Sequence, residues 1–474
     1  MNIPLKVDIQ ASAAKVRERP EVIDATIRAT IRQDEGRQRA LAELDDPRSL
    51  RRLAAQIKDH TLQNLDRYLR QLAEAIRARG GHVHWATTHE QAREIVRSLA
   101  RDNDVKCIVK AKSMTTEEIE LLEALEAEGL DVVETDLGEF IIQLSGDRPS
   151  HIVTPMIHKF KSEVGRVFAD KLGIDYTEDP DALTAAARRV LRTKFRSADM
   201  GICGVNFAVA ETGTIVLVTN EGNGRLTTSH PKIVVAMMGI EKVIPRMQDL
   251  PVFLKLLARS ATGQRITVYT SLTTGPRRAD DVDGPDAFHL VVLDGKRSHI
   301  LASEFRETLR CIRCGACLNT CPVYRNVGGH AYESVYPGPI GKLISPLLNS
   351  YDQYQELPQS SSLCGACFEV CPVMIDIPEM LIAMRNDLRR KGYLPFSQRI
   401  AFLLWSSAMR SPRLYQWGCR FYRWTVDLRS RDGWTRKLPG PLSGWSDHRD
   451  VPAMAKRSFR ARWAQLAEEE DGAE

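Results

Sequence analysis

The chain predicts an α/β domain over residues 61–300, followed by a compact, mostly α-helical domain over 301–385 organised by cysteine-rich loops. Three observations carry that expectation. From about Thr61 to Leu293, apolar runs of strand length alternate with amphipathic runs of helix length, the rhythm of a parallel sheet. Two cysteine runs then replace the alternation: Cys311-Ile-Arg-Cys314-Gly-Ala-Cys317-Leu-Asn-Thr-Cys321-Pro322 and Leu-Cys364-Gly-Ala-Cys367-Phe-Glu-Val-Cys371-Pro372. The 474 residues, 43% of them hydrophobic, allow two or three domains with sizeable cores.

Residues 1–60 are rich in Arg, Glu, Ala and Leu, with Gly36 and Pro47 as the breakers after Pro20, so exposed helices forming an N-terminal arm are expected. The α/β part opens with a helix through Leu65 to Ala78, a strand near His82–Ala86, a helix through Glu90 to Leu99 and a strand around Cys107. Thr115-Thr-Glu-Glu118 has the form of a capping box, in which hydroxyl and carboxylate satisfy free N–H groups at a helix start. A helix from Ile119 to Glu128 should follow, ended by Gly129. Strands are expected at Asp131–Glu134 and Phe140–Gln143, within Gly204–Thr219, near Arg265–Tyr269 and at Phe288–Leu293.

Two places in this domain suit a ligand. Lys110-Ala-Lys112-Ser113 stands after a strand and before a helix, where open α/β sheets receive anions; its plainer reading is a solvated basic edge. Gly204–Arg225 carries Glu211, Asn220 and Glu221 on Gly/Asn turns. These can line a small-molecule pocket or simply close a β-meander, since Gly and Asn supply the positive φ that turns need, and the meander is the reading preferred. His230 stands alone and reads as structural. No nucleophile–base pair, P-loop or dinucleotide fingerprint is present, and no catalytic residue is named.

The first cysteine run is the full C-x2-C-x2-C-x3-C-P pattern of bacterial ferredoxins, whose fourth cysteine serves the other cluster. That rule groups Cys311, Cys314, Cys317 and Cys371 on one iron–sulfur cluster and Cys321, Cys364 and Cys367 on a second, both expected as [4Fe-4S]. Three residues before Cys364, where an eighth cysteine would fall, stands Ser361. The second cluster is therefore either four-iron with a serine oxygen, water or outside ligand on its last iron, or [3Fe-4S]. Gly315 and Gly365 allow tight turns and close approach of N–H groups to sulfur. Pro322 and Pro372 suit a chain leaving the loop rather than continuing a helix. Paired C-x2-C motifs also build zinc ribbons, but zinc needs four ligands and seven cysteines converge here. Ten cysteines in the whole chain are too few for a disulfide scaffold. Cys107 and Cys203 read as packed residues, and Cys419 has no partner nearby in sequence.

Met1–Gln10 lacks the apolar core of a signal peptide and no apolar run is long enough to span a bilayer, so a cytoplasmic location is expected. A net charge of +5 with both signs interspersed gives no support to nucleic-acid binding. After Pro378, over the C-terminal extension 386–474, Phe402-Leu-Leu-Trp405, Trp417, Phe421, Tyr422 and Trp424 alternate with Arg410, Arg413, Arg420 and Arg423. Helices packed on the cysteine domain with their arginines in water are expected; a partner interface or a peripheral membrane surface is the other reading. The 42 residues between Cys321 and Cys364 are long for a ferredoxin loop and suggest a docking insertion.

Ala210-Glu-Thr-Gly-Thr214, Asn220-Glu-Gly-Asn-Gly-Arg225, the two cysteine runs with Ser361, Gly328–Tyr332, Tyr336–Gly341 and Pro441–Ser446 together resemble the lactate utilisation protein B family. The resemblance implies an α/β domain similar to sugar-phosphate isomerases and CoA transferases. It also implies an iron–sulfur subunit of a three-component system that oxidises L-lactate to pyruvate, serine at position 361 being the family's pattern. Companion subunits would draw electrons from lactate and two clusters would pass them to an acceptor, quinone-linked if the membrane is involved. A ligand-binding redox sensor is the alternative.

Overall fold

The computed structural model describes residues 6–463 apart from 439, 447, 448 and 456, and the outermost residues of the segments expected at the two ends lie outside this range. Met1–Tyr393 and Leu394–Glu474 form separate compact units.

Among its described residues the first unit holds ten strands: β1 (His82–Ala86), β2 (Cys107–Lys110), β3 (Asp131–Glu134), β4 (Met200–Gly204), β5 (Phe207–Val209), β6 (Thr214–Thr219), β7 (Ile233–Gly239), β8 (Val243–Ile244), β9 (Tyr269–Thr273) and β10 (Ala287–Leu293). Six make a wholly parallel sheet in the order β1-β10-β7-β4-β2-β3, and four make a side sheet in the order β8-β5-β6-β9. The central strands are continuous apolar runs because helices cover both faces. Leu72 and Ile76 of helix Leu65–Arg77 pack with Phe288 and Leu290 on one face. Ala92 and Val96 of helix His89–Asp102 pack with Val291 and Leu293 on the other. Gly201 of β4 is required by contact, since a Cβ there would lie 2.0 Å from the carbonyl oxygen of Thr227.

Four local expectations change. Phe140–Gln143 is not a strand but part of helix Leu137–Ser145: the Asp136 carboxylate accepts the Glu139 N–H at 3.2 Å, and Gly146 ends the helix at φ +61°. Three apolar residues fit either period, and the caps decide. The helix expected from Ile119 is split. Ser113 caps Met114–Glu118, Glu120 turns left-handed at φ +51°, and Leu121–Glu126 follows. Glu118 is drawn into a buried ion pair instead of capping. The Gly/Asn turn after β6 runs into a short helix, Asn223–Ser229, and the strand expected at Arg265–Tyr269 begins only at Tyr269.

The N-terminal segment is helical as expected (Ile9–Arg17, Pro20–Ala42, Pro47–Gln63), but it is not an exposed arm. Val7, Ile9, Ala54 and Leu62 are buried in one core with Phe305, Leu318 and Tyr324. Arg51 Nε donates to the Cys371 carbonyl at 2.9 Å and Arg310 Nη2 donates to Asp59 at 2.7 Å, tying these helices to the cysteine region. The stretch between the cysteine runs also contributes to the core. Its helix Gly338–Leu348 is buried almost throughout and forms core. The second unit contains helices Phe396–Arg410 and Pro412–Asp427 and a short ribbon pairing Trp434–Thr435 with Val451–Pro452. Trp405, Trp417, Phe421 and Trp424 are exposed on its helices. Among the described residues no helix is long and apolar enough to cross a membrane.

Candidate metal centre and the cavity beside it

Both cysteine runs fold by the same local rule. Arg313 and Gly315 flank Cys314 in left-handed conformations, at φ +61° and +77°, and Leu363 and Gly365 flank Cys364 likewise, at +54° and +86°. Each pair of left-handed turns curls the chain around its cysteine before a short helix, Ala316–Thr320 or Ala366–Val370. In the first loop the Arg313 N–H donates to Cys311 Sγ at 3.4 Å; in the second the Leu363 N–H donates to Ser361 Oγ at 3.2 Å. Ser361 thus takes the local place of Cys311. Past the loops, Cys321 Sγ accepts the Tyr324 N–H at 3.5 Å and Cys371 Sγ accepts the Ile375 N–H at 3.3 Å. Pro322 does leave its loop, but as the first residue of a new helix, Pro322–Val327, where its missing N–H costs nothing.

All seven cysteines come together, and their mutual influence has a pattern. Burial pushes the Cys314 thiol up, and Cys371 and Cys311 add to it. Cys317 is pushed up by burial, then by Cys314 and Cys311. Cys371 rises to about 11 through burial, with Cys311 its nearest thiol influence. Cys367 rises to about 12 through burial, then through Cys321 and Cys364. Thiols held this high release their protons only when cations replace them, so the donor set fits a thiolate-bound iron–sulfur group. Cys314, Cys321 and Cys371 are buried, whereas Cys364 is exposed.

Beside the first loop lies a cavity of about 490 Å³, at the carboxyl ends of β2, β4 and β7. It unites residues from both places singled out in the sequence: Lys112 and Ser113 from the first, Asn220 and Glu221 from the second. Lys110 and Glu211 are absent from it. Lys110 is buried against Glu134 at 2.5 Å, and Glu211 accepts the Met247 N–H at 2.8 Å. Lys112 lies 3.3 Å from Glu139. Burial and then Asp136 push Glu221, at the cavity mouth, up to about 7. His230 lines a different cavity, against helix Pro180–Ser197.

Glu241, Lys242, Arg313 and Tyr336 line the inner wall, and the charge network they share with residues behind it was not legible in the sequence. Arg297 is 1% exposed and bridges Glu118, at 2.7 and 2.9 Å, to Glu241, at 2.7 Å. Arg313 Nη2 stands 3.6 Å from Glu241 and its guanidinium lies 4.7 Å over the Tyr336 ring, whose hydroxyl donates to Glu118 at 2.6 Å. Lys58 donates to the Glu241 carbonyl. Burial and then Arg313 bring Lys242 down to about 8. This network fastens the α/β sheet to the first cysteine loop, and scattered single basic and acidic residues carry no sequence signal for it.

Family comparisons agree with this organisation. Residues 69–293 match the LUD domain, 307–375 the 4Fe-4S dicluster domain and 388–468 the C-terminal region of lactate utilisation protein B. The dicluster match assigns iron–sulfur clusters to the cysteine region. Lactate utilization protein B of Oceanobacillus iheyensis is 47% identical over 439 residues, covering 92% of this chain and 91% of its own. That of Bacillus subtilis is 48% identical over 423 residues, covering 89% and 88%. A DUF162 family protein from Deinococcus radiodurans, of solved structure, covers 48% of this chain at 12% identity with a TM-score of 0.28, too slight a likeness to bear on the fold. With three domain matches in sequence order and near-complete alignment to such relatives, the chain belongs to the lactate utilisation protein B family.

Proposed function

We propose that this chain is the iron–sulfur electron-transfer subunit of a multi-component system that oxidises L-lactate to pyruvate. The observation that carries the reading is the gradient of burial across seven cysteines, from Cys314 and Cys371 inside to Cys364 at the surface. Cys311, Cys314, Cys317 and Cys371 would hold one cluster, and Cys321, Cys364 and Cys367 the second, in keeping with the mutual influence of their thiols. Such clusters supply one-electron redox steps. The protein's own part is to exclude water from the first set, to donate N–H groups to its sulfurs and to bring the second set to the surface.

The rest of the proposal follows from that role. The division into 1–60, 61–300, 301–385 and 386–474 goes with it, as does a sugar-phosphate isomerase/CoA-transferase-like fold for the α/β domain, supported by the parallel sheet with its side sheet. A cytoplasmic location is proposed as well. Exposed Trp405, Trp417 and Trp424 support contact with companion subunits, and the arginines among them support a second reading, a membrane surface near a quinone-linked acceptor. The test is reconstitution. The chain alone should leave L-lactate unoxidised, and adding its companion subunits with an electron acceptor should give pyruvate. Turnover by the chain alone, or full turnover by the companions without it, overturns the reading.

A further inference from the structure

We infer that the cavity beside the first cysteine loop is a binding site for a small 2-hydroxy or 2-oxo monocarboxylate, of the class of lactate and pyruvate. The inference rests on the proposed role in lactate oxidation for the identity of the anion, and on the cavity for its existence.

Of the residues that line the inner wall, Lys242 and Arg313 are cations and Glu241 is the carboxylate beside them. Behind them, Lys58 donates to the Glu241 carbonyl and Arg297 pairs with Glu118 and Glu241, so those two cations are already answered. Both carboxylates are already engaged by Arg297. Lys242 is only 9% exposed and makes no ion pair within 4 Å among the described residues, Glu241 and Cys311 attracting it from farther away. Arg313 Nη1 is buried and without a hydrogen bond. Asn223, 8% exposed, leaves its Oδ1 unpartnered on the same cavity. A buried donor left without a hydrogen bond is costly, and an anion that enters the cavity can accept from Arg313 Nη1 and Lys242 together.

The remaining wall selects the kind of anion. Lys242 and Arg313 offer a point charge and a planar fork, the pair that suits a carboxylate. Asn206 and Ser113 are uncharged hydrogen-bonding groups at the ends of β4 and β2, suited to a hydroxyl or keto oxygen next to the carboxylate. Leu217, Leu257 and Ala261 supply apolar surface for a short alkyl group. Arg313 belongs to the first cysteine loop, so an anion on its guanidinium stands beside that loop. A competing account is that these cations only offset the charge of the cysteine thiolates, in which case no small molecule is needed.

The experiment uses the full chain, purified anaerobically, with iron and sulfide measured first. Sodium L-lactate and sodium pyruvate are titrated by calorimetry at neutral pH, with inorganic phosphate as the comparison, and the electron paramagnetic resonance spectrum of the reduced protein is recorded with and without each anion. The expected result is saturable binding of lactate or pyruvate, tighter than phosphate, with a change in the spectrum. Lys242→Met should weaken that binding about tenfold or more at unchanged iron content, and Lys242→Arg should retain most of it. Three results overturn the inference while leaving the electron-transfer role standing: clusters present but no lactate or pyruvate binding, tighter binding of phosphate, or Lys242→Met altering the spectrum without altering binding. Absence of iron and sulfide from the wild-type chain would instead sink the electron-transfer role.

Discussion

Replacing Arg297 by leucine removes the one side chain that neutralises two buried carboxylates. Burial pushes both Glu118 and Glu241 up, and Arg297, first among their partners, overcomes this and holds both below the usual carboxylate range. Without it, Glu118 keeps the Tyr336 hydroxyl at 2.6 Å and His89 at 3.3 Å, while Glu241 keeps Arg313 at 3.6 Å and the weaker attraction of Lys242. The expected loss is about 3–5 kcal/mol near neutral pH, the range for breaking a buried ion pair from one side. The sign with pH follows. In the wild type the depressed carboxyls contribute stability above their unfolded-chain values, and this is lost as pH falls through the folded values. In the variant the unpaired carboxyls rise above their unfolded values and regain stability by protonation, so the gap between the two proteins narrows on acidification. Urea unfolding of both proteins, followed by circular dichroism at pH 7.5 and 5.5 with iron content matched, reads the difference. The triple variant Arg297→Leu/Glu118→Leu/Glu241→Leu should recover most of the loss, because no charge is then left buried alone. A loss under about 1 kcal/mol, or a gap indifferent to pH, refutes the reasoning.

Other outcomes follow from the two loops. Ser361→Cys gives the second loop a sulfur where Ser361 Oγ now accepts the Leu363 N–H, so iron per chain should stay the same or rise and any oxidised three-iron resonance signal should disappear. Gly315→Ala should lower iron content more than Gly365→Ala. Both positions are left-handed, costing about 1 kcal/mol for a side chain, but only at Gly315 would the new Cβ meet a neighbour, Val153 at 3.1 Å. Removing iron with a chelator under reducing conditions should lower the urea midpoint by several tenths of a molar or more, since the buried thiols then reprotonate and lose their cross-linking metal.

What the sequence disclosed depended on whether a residue's role is local. The cysteine loops are local, so spacing alone brought out all seven sulfurs and the anomaly at Ser361. The strands of the parallel sheet were equally clear, because a strand buried on both faces must be apolar throughout, as Ile233–Met238 and Phe288–Leu293 are. Phe140–Gln143 misled because a three-residue apolar run has no period of its own, and Asp136 and Gly146 settled it as helix. The cavity was half visible. Lys112 and Asn220 stood out in separate segments, one after β2 of the main sheet and one after β6 of the side sheet, and only the folded chain brings them to one cavity. Lys242, Arg297 and Arg313 left no mark in the sequence, since an isolated basic residue looks the same whether solvated or buried.

The central claim is most directly tested by iron, acid-labile sulfide and zinc analysis of the anaerobically purified chain, with electron paramagnetic resonance before and after dithionite. Iron and sulfide sufficient for two clusters, with signals that appear or change on reduction, are the predicted result. Zinc bound without sulfide, and no reducible signal, would contradict it.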